Sequence, residues 1–295
     1  MRITRLSVSV LLTAILGSTL HLGACARADA DEPSITVEPF DPEPILITLD
    51  DLPEPYSSRS ARKPPQVVNV PDDPTLQAPE GFAINVFASD VPSARWLALT
   101  PNGDVLCASA RTNTIFLLRD TNDDGRADER HVFLDQQRGA NLPFGMAFID
   151  GHFYLGNTDA VLRYDYKPGQ THLDSEYEKI TELPGRGYRQ HWTRNVVASP
   201  DESKLYVTVG SRSNVSVEPS PRATVLRMNP DGSEREVFAS GLRNPVGLDF
   251  QPVTGEVYVT VNERDGLGDD LVPDYFTGLE KGEFFGWPYA YLTPG

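Results

Sequence analysis

Cysteine is almost absent from this chain: its 295 residues include two, Cys25 and Cys107. Neither spacing nor number supports a disulfide framework, and Cys107, set in an apolar stretch, reads as a small core residue. Positive charge is also scarce. Lys and Arg number 26 against 42 Asp and Glu, for a formal net charge of −16. That balance argues against nucleic acid and anionic lipid surfaces as partners, because both would be repelled. Long apolar runs are confined to the start. Leu6 to Leu20 is mostly apolar, short of the ~20 residues that span a bilayer.

The start has the layout of a cleaved export signal over residues 1–24: Arg2 and Arg5, the apolar run, then Leu22-Gly23-Ala24-Cys25. That ending resembles the lipobox of bacterial lipoproteins. The resemblance implies a diacylated Cys25, export, and lipid anchoring to the cell envelope on a periplasmic or outer-membrane face. Membrane contact would then be through the lipid alone. An ordinary secretory signal with an incidental cysteine is the other reading.

Residues 25–80 are dense in proline and acid, as in Pro39-Phe40-Asp41-Pro42-Glu43-Pro44. Proline removes a donor and fixes φ, so this segment cannot enter a sheet interior and reads as an extended tether. Ile45–Leu49 is its one apolar patch and is expected to dock on the domain.

From Gly81 the pattern changes to short apolar runs punctuated by Gly, Pro, Asn and Asp, which signals strands and turns. Four units align. Their first strands are expected at Trp96–Thr100, Gly145–Phe148, Asn195–Ser199 and Gly247–Gln251, and their second at Val105–Ala108, Phe153–Gly156, Leu205–Val209 and Val257–Val261. Third strands follow at Ile115–Arg119, Val161–Tyr166 and Thr224–Met228, and fourth near His131–Leu134, Lys179–Leu183 and Arg235–Ser240. Four strands at a period of about 50 residues predicts an all-β, six-bladed-type β-propeller over 81–295. It is incomplete here: about four blades, plus the start of a fifth at Phe284–Tyr291. The sequence therefore reads as C-terminally truncated.

His191 and Arg243 stand 52 positions apart, each four residues before an expected inner strand. Antiparallel order puts them, with the polar loops Ser211–Asn214 and Asn262–Asp270, on one mouth of the channel; Asn141 holds the equivalent slot one blade earlier. A neutral imidazole at such a mouth can take a hydroxyl proton, and a histidine hydrogen-bonded inside a blade fits the position equally. Arg243 and Asn244 offer fixed donors to an anionic or carbonyl oxygen, or an inter-blade salt bridge and a turn-capping amide.

On the far rim, Asp120, Asn122, Asp124 and Asp128 place oxygen ligands around Gly125, as hard-cation loops do. The twelfth position is His131 rather than Glu, so the loop is not a full EF-hand. Structural calcium and a solvated Asx-turn hairpin both fit.

Four stretches taken in order, Gln190–Asn195, Tyr206–Asn214, Gly241–Leu248 and Asn262–Asp269, with Gly282–Pro288 behind them, resemble the soluble glucose/sorbosone dehydrogenase family, closer to its sorbosone-type branch. The resemblance implies PQQ (pyrroloquinoline quinone) and Ca2+ as cofactors at the channel mouth, a small-molecule sugar or aldose substrate, and an external electron acceptor such as a cytochrome or quinone. It implies an oxidoreductase acting on CH-OH or aldehyde groups. His191 matches the general base, with hydride passing to the quinone, and Arg243 and Asn244 match the residues that bond the quinone. Asn262 joins them at the cofactor, and backbone carbonyls of the segment through Glu263 and Arg264 match those that hold its calcium. Two other classes compete: a non-catalytic cell-surface propeller lipoprotein binding a glycan or protein, and a calcium-dependent lactonase-like hydrolase.

Overall fold

The computed structural model describes residues 35–61 and 66–294. The export signal and Cys25 lie outside the described residues. Strands β1 (Thr36–Pro39) and β2 (Thr75–Ala78) pair in parallel ahead of the main body.

Three four-stranded antiparallel sheets follow in simple meander order. The first holds β3 (Ala94–Leu99), β4 (Val105–Ser109), β5 (Thr114–Arg119) and β6 (Glu129–Leu134). The second holds β7 (Met146–Ile149), β8 (His152–Gly156), β9 (Ala160–Asp165) and β10 (Glu178–Glu182). The third holds β11 (Val196–Ala198), β12 (Leu205–Val209), β13 (Thr224–Met228) and β14 (Glu236–Ser240). A three-stranded sheet of β15 (Asn244–Phe250), β16 (Val257–Asn262) and β17 (Tyr275–Leu279) completes the set. These are four blades of a β-propeller.

The middle strands read as unbroken apolar runs because both of their faces are buried. Side chains alternate across a strand. Phe153 and Leu155 of β8 therefore pack with Leu106, Ile115 and Phe133 between the first and second blades. Tyr154, between them in sequence, packs with Val207 and Leu226 between the second and third. In β12, Tyr206 likewise turns to the next interface, with Phe238 and Val259. At the two ends of the blade series, Leu97, Leu99 and Phe276 are exposed.

Three expectations need correction. β17 was missing from the expected strands; Gly278 interrupts its apolar run, yet its five residues pair with β16 in full register. Phe284–Tyr291 does not begin a fifth blade. Gly286 sits at φ +101, Pro288 has no amide hydrogen to give, and the stretch instead lies along the third blade's outer strand. Gly282 N donates to Phe238 O at 2.7 Å and Phe285 N to Ser240 O at 2.9 Å. Finally, Ile45–Leu49 does not dock: Ile45, Leu46 and Ile47 are exposed. Segment 56–61 docks in its place through polar groups, with Tyr56 N donating to Leu267 O at 2.5 Å, Asp269 N to Ser58 Oγ at 2.8 Å and Ala61 N to Asp269 Oδ1 at 2.7 Å.

Candidate functional site at the channel mouth

The approach to β11 is shaped by Arg194, a fully buried side chain. Its Nη1 donates to the carbonyls of His191 and Thr193 and its Nη2 to that of Pro184, all at 2.7 Å. These bonds close the 184–194 turn and present His191 at the rim. Burial pulls the guanidinium down to about 9, with the charge of Arg222 adding to the effect.

His191 faces the loop after β12. Its Nδ1 lies 2.9 Å from Ser211 Oγ, and its backbone N–H donates to Ser211 O at 3.3 Å. Ser211 is fully buried, and its hydroxyl donates to Ser213 O at 2.7 Å. A carbonyl can only accept, so the Ser211 proton is committed there and Ser211 Oγ must accept from His191. Nδ1 therefore carries the ring proton, and Nε2 keeps its lone pair. Burial, with the nearby Arg243 charge, pushes the imidazole pKa down to about 4, so the ring is neutral at ordinary pH.

The same loop reaches the fourth blade. Ser211 N donates to Arg243 O at 2.8 Å, so one residue touches both sequence-predicted partners. Gly210 allows this closeness: a Cβ there would lie 2.5 Å from Asn244 Oδ1 and 2.6 Å from His191 Cβ. Arg243, buried despite its charge, is held on all sides. It donates through Nη2 to Asn214 Oδ1 at 2.9 Å and Asp265 Oδ2 at 3.0 Å, through Nε to Asn214 O at 3.1 Å and through Nη1 to Asn262 O at 3.3 Å.

β15 begins at Asn244, earlier than the expected Gly247, because a bulge between Pro245 and Leu248 lets the strand run on. Asn244 thereby sits opposite Asn262, with Nδ2 donating to Asn262 Oδ1 at 3.2 Å, while its own Oδ1 is buried without a donor. Asn262 Nδ2 and Glu263 N both donate to Asp274, at 2.6 and 2.8 Å. Glu263 is buried, which pushes its carboxyl up, and the Nε of its neighbour Arg264 has no partner.

His191, Arg243, Asn244, Asn262, Glu263 and Arg264 thus belong to one connected rim. Asn141 sits apart on the second blade, donating to Asp159 Oδ2 at 2.8 Å. Sequence reasoning missed Ser211 as the histidine's partner, and also Asp265 and Asp274. Ser211 had been placed only as part of a polar loop, and Asp274 lies beyond the stretch that looked informative.

The Asp120–Asp128 loop turns its side-chain acceptors on itself, while its backbone is tied to the segment before β3: Asn85 Nδ2 donates to Gly125 O at 2.6 Å and Ala127 N to Phe87 O at 2.8 Å. Asp120 Oδ2 accepts from Gly125 N at 2.8 Å, Asn122 Oδ1 from Asp124 N at 2.9 Å, and Asp128 Oδ2 from Thr121 N at 2.7 Å. Among the described residues no group of three or more His, Cys, Asp or Glu side chains is arranged to hold a metal.

A TrAA12-like family model matches residues 76–273. The chain belongs to the TrAA12-like family. A protein of Borreliella burgdorferi, itself uncharacterized, is 27% identical over 227 residues, covering 74% of this chain and 57% of that protein. Among solved structures, the holo PQQ domain of pyranose dehydrogenase from Coprinopsis cinerea superposes with a TM-score of 0.59 at 20% identity, covering 70% of this chain and 56% of that one. The PQQ-bound aldose sugar dehydrogenase of Streptomyces coelicolor gives 0.56 at 19% identity, over 70% and 66% of the two chains. This TrAA12-like chain therefore shares the propeller of PQQ-dependent sugar dehydrogenases, and spans little more than half the length of the relatives it matches.

The fixed positive charge of Arg243 at the mouth suits a planar, oxygen-rich cofactor. The amide donors of Asn244 and Asn262 are engaged within the rim, and the one unpaired atom there, buried Asn244 Oδ1, can only accept a hydrogen bond from a ligand.

Proposed function

We propose that this chain carries the proton-accepting side of a sugar-oxidising site in a PQQ-dependent dehydrogenase of the sorbosone or aldose type. The observation that carries the reading is the state of His191: neutral, with Nδ1–H committed to Ser211 and the Nε2 lone pair unclaimed. The fold shared with sugar dehydrogenases supports it.

In this reading a saccharide hydroxyl lies against His191 Nε2. The ring takes the hydroxyl proton as the carbon gives up its hydride and becomes a carbonyl. PQQ, when bound, supplies the two-electron acceptor for that hydride, with an external acceptor such as a cytochrome or quinone receiving the electrons afterwards. Arg243 and Asn244 would hold the cofactor, Arg243 giving its fixed positive charge where negative charge collects on reduction. Asn262 would line the cofactor, with carbonyls of Glu263 and Arg264 facing its calcium.

While Nε2 holds the proton the ring is a buried cation beside Arg243. Their repulsion favours the proton's prompt return to solvent. Calcium at Asp120, Asn122, Asp124 and Asp128 belongs to the same proposal as a weakly held structural ion, because it competes with the amide N–H groups that now donate to these oxygens. Export and lipid anchoring through Cys25 are proposed on the sequence signal alone.

The test is to add PQQ and calcium to the purified protein and follow dye reduction with a panel of aldoses. Cofactor-dependent reduction that is lost in His191→Ala is expected. A protein that binds PQQ without any sugar-dependent reduction would move the reading to a binding propeller.

A further inference from the structure

A second cavity opens on the same rim, about 430 Å³ in volume and lined by Arg186, Arg189, Gln190, Arg212 and Arg222 together with Pro184 and Gly185. Four arginines converge there and no carboxylate lines it, in a chain whose net charge is −16. Arg222 is anchored: Nη2 donates to Gln190 Oε1 at 2.5 Å and Nη1 to Gly210 O at 3.3 Å. The guanidinium groups of Arg186, Arg189 and Arg212 have no hydrogen bond or ion pair among the described residues. The acid nearest in sequence, Glu218, is already occupied by the backbone amides of Arg212 and Ser213, at 2.6 and 2.7 Å.

Four grouped cations outnumber the one carboxylate near them, Glu218, so they repel, and burial makes the repulsion stronger. Arg222 shows both effects: burial chiefly, and to a smaller degree the charge of Arg212, loosen its proton against the opposing charge of Glu218. An arginine fork is shaped for bidentate bonds to carboxylate or sulfate oxygens, and the volume is in the range of small-ligand sites. Two residues that line the cavity, Gln190 and Arg212, are chain neighbours of the candidate base and of its serine. Gln190 precedes His191, and Gly210 and Arg212 flank Ser211, the partner of the imidazole. A second arm of the same saccharide could therefore lie in it while a hydroxyl meets His191.

We propose that Arg186, Arg189, Arg212 and Arg222 form a subsite for the anionic group, carboxylate or sulfate ester, of an acidic saccharide. This rests on the sugar-oxidising reading and specifies its substrate class. A long polyanion such as nucleic acid is disfavoured by the acidic remainder of the chain.

The experiment is calorimetric titration of the full chain with D-glucuronate, D-glucose 6-sulfate, D-glucose and inorganic sulfate, at two salt concentrations. The acidic sugars should bind at least about tenfold more tightly than glucose, with an advantage that shrinks as salt rises. They should also bind more tightly than sulfate alone. The Arg189→Gln/Arg212→Gln double variant, at exposed positions and checked for unchanged circular dichroism, should lose the advantage. Equal binding of glucose and glucuronate, an advantage that survives in the variant, or sulfate binding as tightly as the acidic sugars would each overturn the proposal. Dye reduction with PQQ separates the two readings. Turnover of neutral aldoses with no preference for acidic ones leaves the dehydrogenase standing without the subsite. Acid-selective binding with no turnover of any sugar leaves the subsite standing without the dehydrogenase.

Discussion

The Asp120–Asp128 loop and the pair of loops at Ser211–Asn214 and 262–265 draw on similar residues, Asp, Asn and Arg with a hydroxyl residue, yet spend their hydrogen bonds differently. The first keeps its side-chain bonds mostly within the turn: Asp120, Asn122 and Asp128 accept from amides a few residues away. The second pair bonds across blades. Asn214 joins Arg243 and Asp265 of the fourth blade, and Ser211 joins Arg243 there as well as His191 within its own blade, over 20 to 51 positions of sequence. A loop whose side chains are satisfied within the turn needs no neighbour to set them. One that is satisfied by the neighbouring blade has its side chains set by the packing of the two, and can leave a lone pair or an amide oxygen unpaired for a ligand.

The sharpest way to break this contrast is to compare one alanine from each side. His191→Ala should fold normally and lose at least ~10² in turnover with PQQ and an aldose. Asp120→Ala should leave turnover within about twofold. Equal losses would mean that the two loops do not divide as described.

Next comes the acid limb of the pH profile. With its pKa near 4 rather than the usual 6.5, His191 should remain an active base well below neutrality. Arg243→Gln removes the neighbouring charge and should move the limb upward. The same depression has a stability counterpart. Between about 4 and 6.5 the unfolded chain binds the proton that the folded imidazole refuses, so the fold loses stability as pH falls through that window. Denaturant midpoints across it, compared between wild type and His191→Gln, measure the effect.

Ser211→Ala should cost about tenfold in turnover, the scale of one buried hydrogen bond. Nitrogen-15 NMR should then find His191 in a mixture of tautomers, which a purely structural role for Ser211 would not produce. The smallest effect is expected at the far loop. Replacing EDTA with millimolar calcium should raise Tm by no more than about 2 °C, because a cation must first displace the amide bonds there. A larger shift, abolished in Asp120→Asn, would make that loop a built metal site.

Much of this fold was legible because strands buried on both faces leave plain apolar runs, such as Leu205–Val209, between turn residues. Tyr275–Leu279, of the same length, was not, since Gly278 interrupts its apolar run. Phe284–Tyr291, expected to start a fifth blade, does not, because Gly286 and Pro288 deny it a ladder. At the mouth, the grouping of His191 with Arg243 followed from repeat register alone. Which nitrogen of His191 carries the proton did not, because it depends on where a serine hydroxyl points. The docking of 56–61 escaped notice for a similar reason: it is made by serines and backbone, with no apolar signal to read.

That docked segment ties the two ends of the chain's geography together. Ser58 and Ser60 grip Gly268 and Asp269, a few residues past the Asp265 that holds Arg243. The opening of the tunnel is thus moored to the leading arm, and a protease cut near Ser60 would slacken the wall beside the guanidinium without touching a single blade.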